Sequence, residues 1–289
     1  MFRKLATVLV ATAAFGTGAA GLIASPAAAK SSGNTLEVQA AEYAYTLKGS
    51  PHAGWVTIKF DNLGQENHAL AIFQVKPSVT AKQIKAAVID GSDAAFGKLA
   101  LGDPNRGFGT PDLIGPGEST ETVSQLPAGH FGVLCYIPAP DVLQHAAHGM
   151  ITTIDVETPK SKAKAPKTDT EVTLTDSAIT IPDGGMPQQF SAKVTNTGTT
   201  SHGFTLVRLE PGQTIDTVFA YYNDFFATGK ATGPAPGVVV GGIYAVDPGK
   251  TGYLVQKLTP GHYGYASTVQ GEPPNDDFSK GLKGEFDVK

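Results

Sequence analysis

Short segments in which apolar and polar residues alternate recur along the whole chain. A period of two is typical of strands with one buried face. In the first half this pattern predicts six strands: Thr35 to Ala40, Trp55 to Asp61, His68 to Val75, Glu118 to Leu126, His130 to Ile137 and Gly149 to Val156. Apolar residues spaced three and four apart instead predict helical insertions at Thr80 to Ile89 and Thr214 to Asn223. We therefore expect an all-β chain with a short helical insertion in each half.

The second half of the chain repeats the first. In each half an alternating strand leads into an Asn-x-Gly turn and then a histidine, from Asn62 to His68 and from Asn196 to His202. From Gly117 to the C-terminus, the two halves are related by a constant offset of 132 residues. The repeat predicts two tandem β-sandwiches.

Composition and local breaks set the expected boundaries. The 34 glycines and 20 prolines favour many turns between short strands. A segment rich in Lys, Pro and Ala lacks apolar periodicity and separates the halves. We expect domains at 30–157 and 171–289, joined by an exposed linker at 158–170.

The N-terminus has the pattern of a secretory signal peptide. Arg3 and Lys4 precede an apolar stretch, and a small-residue cleavage site ends at Ala29. The alternative, a retained membrane anchor, fits this short stretch less well because it is rich in Gly, Ala and Thr. We expect residues 1–29 to be removed, no transmembrane segment to be retained, and the protein to act outside the cytoplasm, in the cell envelope or the medium.

Charge and cysteine content narrow the possible partners. Without Arg3 and Lys4, the chain carries 20 basic and 26 acidic side chains, a net charge of −6. This excess of acidic side chains argues against nucleic acid as a partner. Cys135 is the only cysteine, so it forms no internal disulfide, and an extracytoplasmic thiol persists only if it is buried or bound to a metal.

Several potential metal ligands lie around Cys135. His145, His148 and Met150 follow it closely, and His68 lies at the start of an earlier strand. Two imidazoles, one thiolate and a weak axial thioether form the ligand set of blue-copper sites. Such a trigonal set suits neither Cu(I) nor Cu(II) fully, which favours fast one-electron transfer.

The second half lacks most of these ligands. At the constant offset, the positions of the cysteine, the two later histidines and the methionine hold Ser267, Asp277, Lys280 and Leu282. Only His68 has a histidine counterpart, His202. A structural role common to both halves would not predict this difference, so we expect copper in the first half alone.

These residues resemble the cupredoxins, the plastocyanin, azurin and nitrite-reductase type of copper β-sandwich. The resemblance implies two Greek-key cupredoxin-like sandwiches and one type 1 copper, with His68, Cys135, His145 and Met150 as ligands. One departure is the nine residues between Cys135 and His145, more than in most plastocyanin-like members. This long loop leaves His148 as an alternative to His145.

Other residues argue against an enzyme. Cys135 is flanked by Leu134 and Tyr136, and there is no His-x-His pair, whereas copper oxidases need such histidines for a catalytic site. No small-molecule substrate site is evident. His130 and His262 occupy equivalent positions and are interpreted as structural, and His52 has no evident partner.

Three functions remain. The leading hypothesis is a secreted electron-transfer protein with one copper in the first domain. The alternatives are an extracytoplasmic copper-sequestering or delivery protein and a structural or interaction double sandwich without metal. The sequence does not identify the redox partner, the redox potential of the copper site, the role of the second domain or the oligomeric state.

Overall fold

The computed structural model describes residues 33–103, 106–159, 164–269 and 275–289. The predicted signal peptide lies outside these residues. In the first half the strands are Thr35–Ala41 (β1), Ala44–Lys48 (β2), Gly54–Asn62 (β3), Ala71–Val75 (β4), Ser119–Leu126 (β5), Gly129–Leu134 (β6) and Ile151–Val156 (β7). In the second half they are Thr170–Leu174 (β8), Ile179–Thr180 (β9), Gln189–Asn196 (β10), His202–Leu209 (β11), Gly237–Val246 (β12), Thr251–Lys257 (β13), Gly261–Ala266 (β14) and Lys283–Val288 (β15).

Four helices interrupt the strands of the described residues: Ala81–Asp90 (α1), Asp93–Leu99 (α2), His145–His148 (α3) and Ile215–Thr228 (α4). Helices α1 and α4 occupy the two predicted insertions. Both begin at a threonine whose side chain accepts a hydrogen bond from the third helical residue, at Thr80 and Thr214. Both end at a left-handed glycine, Gly91 and Gly229. Among the helices described, none is long and apolar enough to span a bilayer.

The strands form two sandwiches that share one large sheet. This eight-stranded sheet has the order β2-β1-β3-β5-β13-β10-β8-β9, and opposite it lie the sheets β4-β6-β7 and β12-β11-β14-β15. The chain passes from one sheet to the other between β3 and β4 and again between β5 and β6, as in Greek-key sandwiches. The predicted all-β fold with two tandem sandwiches is confirmed.

The join between the sandwiches was not predicted. Strand β5 of the first half pairs with β13 of the second, placing Val123 opposite Tyr253. Beside this pairing, Thr120 Oγ1 donates to Gln256 Oε1 at 2.8 Å, and the Gln256 amide donates to the Val240 carbonyl at 2.9 Å. The two halves are therefore continuous through a hydrogen-bonded sheet as well as through the chain.

Each sandwich has its own apolar core. In the first, Ile58, Phe60 and Phe131 are fully buried, in the same cluster as Cys135 and Met150. The core of the second is built around large buried side chains: Phe190, Phe204, Leu254 and Tyr263. The apolar faces of the strands thus supply both cores, and the first core reaches the candidate ligands.

Three predicted strands have different limits in the structure, because backbone groups near the candidate ligands form hydrogen bonds outside the strand ladders. The strand predicted from His68 begins at Ala71, and His68 itself forms an isolated bridge with Ile114. The strand predicted to reach Ile137 ends at Leu134, because the Ile137 carbonyl accepts from the His145 N–H instead. The strand predicted from Gly149 begins at Ile151.

Candidate metal centre

Cys135 lies directly after β6, at one end of the first sandwich. Its N–H donates to the Met150 carbonyl at 3.1 Å, and its carbonyl accepts from the Ala146 N–H at 3.0 Å. Its side chain is fully buried. Strand β6 and the backbone around α3 therefore hold the thiol in a fixed position.

His68 reaches the same end from a different segment. Its N–H and carbonyl both pair with Ile114, at 3.0 and 2.9 Å. The preceding turn is held by Asn62, whose side chain donates to the Glu66 carbonyl at 2.8 Å and accepts from the Gly64 N–H at 2.9 Å. The Asn-x-Gly turn thus positions the imidazole.

His145 and Met150 come from the segment that follows the long loop. His145 opens the short helix α3, and its carbonyl accepts from the Met150 N–H at 3.0 Å. Both side chains are fully buried, and Met150 belongs to the same core cluster as Cys135. All four predicted ligands therefore lie inside one end of the first sandwich.

Three of these residues bring their donor atoms together. His145 Nδ1 lies 3.2 Å from His68 Nδ1 and 3.5 Å from Cys135 Sγ. The donor atoms of the three residues all lie within 4.8 Å of one another. Within the part of the chain that is described, no other group of three His, Cys, Asp or Glu residues is arranged in this way.

His148, the alternative ligand, lies outside this cluster. Its Nε2 is 3.0 Å from Asp141 Oδ1, and its ring packs against Tyr43 with centroids 5.1 Å apart. Its side chain is partly exposed, whereas that of His145 is fully buried. The geometry favours His145.

Two carboxylates lie behind the histidines, and nothing in the sequence pointed to them. Glu66 Oε2 lies 2.9 Å from His145 Nε2 without hydrogen-bond alignment, and Glu42 Oε1 lies 3.6 Å from His68 Nε2. Glu42 also accepts a hydrogen bond from the Glu66 N–H at 3.0 Å. Carboxylates behind metal-binding imidazoles orient the rings and increase their basicity.

Burial keeps Cys135 and His68 uncharged near neutral pH. Burial raises the pKa of the Cys135 thiol to about 12, although the Ala69 N–H, 3.3 Å from the sulfur, acts in the opposite direction. Burial, together with the neighbouring His145, lowers the pKa of His68, so its imidazole is neutral near pH 7. A metal ion entering the site would therefore bind a neutral imidazole and displace the thiol proton.

The donor set fits copper. The Nδ1 atoms of His68 and His145 face each other, so they share at most one proton and form at most one hydrogen bond between them. That hydrogen bond leaves out the Cys135 sulfur, whereas a soft metal ion can bind all three atoms. Thiolate and imidazole also suit zinc, but a methionine in the same core is a further soft donor that favours copper.

The equivalent end of the second sandwich has a different network. His202 Nδ1 lies 3.0 Å from Asp277 Oδ2, and its Nε2 lies 3.0 Å from Asp176 Oδ1. Ser267, at the position of the cysteine, donates to Asp277 Oδ2 at 2.6 Å. A network of acidic and hydroxyl side chains around His202 therefore lies where the first sandwich has its candidate metal ligands.

The other histidines have structural partners. His130 Nδ1 lies 2.6 Å from Asp155 on the neighbouring strand, and His262 Nδ1 lies 2.8 Å from Asp287 in the same arrangement. Their predicted structural role is confirmed. No partner of His52 was evident from the sequence, and in the structure its Nδ1 lies 3.2 Å from Glu157 Oε2.

No family model and no curated protein sequence matches this chain. Several solved structures do match this chain. Reduced auracyanin from the photosynthetic bacterium Roseiflexus castenholzii is 18% identical, with 41% of this chain and 94% of that chain covered and a TM-score of 0.27. A copper-containing nitrite reductase from Thermus scotoductus is 15% identical, covering 88% of this chain and 61% of its own, with a TM-score of 0.23. A multicopper oxidase is 15% identical, with 88% of each chain covered and a TM-score of 0.24.

At identities and TM-scores this low, no residue role, activity or partner is carried over from these proteins. The described strands form an all-β fold of two Greek-key sandwiches, each closed by a second sheet, and the donor cluster lies at one end of the first.

Proposed function

We propose that this protein is a secreted one-electron carrier with a single type 1 copper in the first sandwich. The observation that carries the proposal is the convergence of His68, Cys135 and His145 in a fully buried site. Met150 is proposed as the axial ligand. A copper ion bound there would supply the change between Cu(I) and Cu(II).

The chain's own contribution is rigidity. The ligands lie in segments tied by backbone hydrogen bonds, such as those from Cys135 to Met150 and from His145 to Ile137. Ligands fixed in this way move little when the charge of the metal changes, which favours electron transfer over release of the metal.

We propose electron transfer without catalysis, since the described residues offer one metal cluster and Cys135 has no adjacent histidine. The proposed location outside the cytoplasm rests on the N-terminal sequence and on a lone thiol placed to bind a metal. The redox partner is another protein, and the negative net charge favours a basic surface on it.

Voltammetry of the copper-loaded protein tests the proposal. A carrier gives a reversible one-electron wave and keeps one copper per chain through repeated cycles. Loss of copper on reduction or oxidation would instead indicate sequestration or delivery. If copper neither binds nor raises the melting temperature, the protein is a metal-free double sandwich.

A further inference from the structure

Helix α4 of the second sandwich ends against the loop that connects two candidate ligands of the first. This segment, residues 136–144, is called the ligand loop below. Gly229 ends the helix with φ of 67°. A Cβ placed on it would lie 2.6 Å from Val142 Cγ1 and 3.3 Å from the Ala139 carbonyl oxygen. The helix end and the ligand loop are therefore packed without room for a side chain between them.

Aromatic residues of the last helical turn contact the same region. The Phe226 ring stacks on that of Tyr136, with centroids 6.5 Å apart and planes at 29°. Tyr136 directly follows Cys135. Phe225 packs against the core cluster that contains Cys135 and Met150. The final turn of α4 therefore fixes the start of the ligand loop as well as its middle.

A third contact reaches the other histidine. Asn67 Nδ2 donates a hydrogen bond to Tyr222 Oη at 3.1 Å, and Asn67 immediately precedes His68. One helix of the second sandwich thus contacts residues beside His68, beside Cys135 and three positions before His145.

We propose that α4 is a clamp that positions the copper ligands, so that the sandwich without ligands is a working part of the copper site. Tyr222, Phe226 and Gly229 are its positioning residues. Holding the ligand loop in place reduces the ordering cost of metal binding and fixes the geometry around the metal. The inference rests on the proposed copper function and gives the second sandwich a role within it.

The main test compares Gly229→Ala with Gly91→Ala. Gly91 ends α1 with φ of 68° and the same type of backbone cap, so an alanine suffers the same backbone strain there. A Cβ on Gly91 meets only the Val88 carbonyl oxygen, at 3.9 Å. The difference between the two variants therefore reports contact with the ligand loop, separately from strain at a helix end.

We expect Gly229→Ala to accelerate amide hydrogen exchange at residues 139–145 of the copper-free protein. In the loaded protein it should shift the thiolate–copper band and the reduction potential and speed copper loss to a chelator by about tenfold. Gly91→Ala should match the wild type in all four measurements.

If Gly229→Ala does not fold, a second pair of variants tests the contact between α4 and the copper ligands. Tyr222→Phe removes the hydrogen bond from Asn67, whereas Tyr221→Phe alters the neighbouring hydroxyl, which makes no such contact among the described residues. We expect only Tyr222→Phe to shift the band and the potential.

Two outcomes separate the inference from the function. If both α4 variants match their controls while the wild type shows the copper band, the clamp is wrong and the copper site stands. If the wild type binds no copper, the proposed function fails. Hydrogen exchange in the copper-free protein then decides whether α4 orders the ligand loop, and equal exchange in the two glycine variants would overturn the clamp.

Discussion

At the scale of single residues, the nature of the donors made the candidate site predictable. A lone cysteine, two histidines and a methionine are scarce in this chain, and the second half lacks three of these four at matching positions. The sequence left both His145 and His148 open because as many as nine residues separate Cys135 from His145. The structure shows that His145 begins α3 and that its side chain is fully buried. Glu42 and Glu66 were not predictable, because acidic residues in turns are common and carry no distinguishing pattern.

Substitution of each histidine separates the two candidates. We expect His145→Ala to abolish the thiolate–copper band, because it removes a buried donor atom 3.5 Å from Cys135 Sγ. His148→Ala should keep the band and change the free energy of unfolding by no more than about 0.5 kcal/mol, since this side chain is partly exposed. Visible absorption after copper loading is the measurement, and the reverse result would make His148 the ligand.

His202 in the second sandwich should make stability depend on pH. Burial acts to lower its pKa, but hydrogen bonds to Asp277 and Asp176 outweigh burial and raise it. A group whose pKa is raised by folding stabilises fully below its unfolded pKa of about 6.5, and the contribution disappears as pH rises through the folded pKa. The hydrogen bond from His202 lowers the pKa of Asp176, whose contribution is lost only as the solution becomes strongly acidic.

Denaturant unfolding of wild type and His202→Gln from pH 6 to 9 checks this sign. The wild type should exceed the variant most at pH 6, and the gap should narrow as pH rises. The hydroxyls of Ser267 and Thr200, which face the same network, do not titrate in this range. The ion pairs of His262 are exposed, so the stability of His262→Gln relative to wild type should depend less on pH. A gap that widens with pH would mean that His202 is held neutral.

At the scale of elements, strands and the two longer helices followed from their periodicity. Strand β2 was missed because its five residues form a short edge strand, and α3 because its four residues are held by the ligand loop and show no period of their own. The Asn-x-Gly turn was found as a repeat, and the structure explains it. Asn196 donates to the Thr200 and Val246 carbonyls and accepts from the Gly198 N–H, as Asn62 does with its own neighbours.

These two asparagines form a matched pair. We expect Asn62→Ala and Asn196→Ala each to lower the free energy of unfolding by about 2–3 kcal/mol, since each removes a buried side-chain amide that makes three hydrogen bonds. Only Asn62→Ala should also weaken copper binding, because its turn leads to His68. Chelator competition and denaturant unfolding of both variants check this. Equal effects on copper affinity would show that the turn acts on overall stability alone.

At the scale of the whole molecule, the sequence predicted two sandwiches and gave no sign that they share a sheet. Pairing between β5 and β13 joins strands more than a hundred residues apart, and the alternating pattern of an edge strand does not distinguish solvent from a partner strand. The contact of α4 with the ligand loop was hidden for the same reason. Periodicity shows which face of an element is apolar, whereas the surface that covers this face depends on the tertiary fold.

The shared sheet predicts that the two sandwiches unfold together. Pairing across Val123 and Tyr253, the Thr120–Gln256 hydrogen bond and the contacts of α4 all have to break if one sandwich unfolds alone. Calorimetry should show one transition. Copper at a hundredfold excess over its dissociation constant should raise it by about 5–10 °C. Two transitions, of which copper shifts only one, would show that the sandwiches are independent.

The visible absorption spectrum of the protein without residues 1–29 shows directly whether Cys135 binds copper. Cu(II) is added, excess metal is removed, and wild type is compared with Cys135→Ser. We expect an intense thiolate-to-copper band at one copper per chain, absent from the serine variant. A folded wild-type protein without the band, or a serine variant that keeps it, would contradict the assignment of a copper site to His68, Cys135, His145 and Met150.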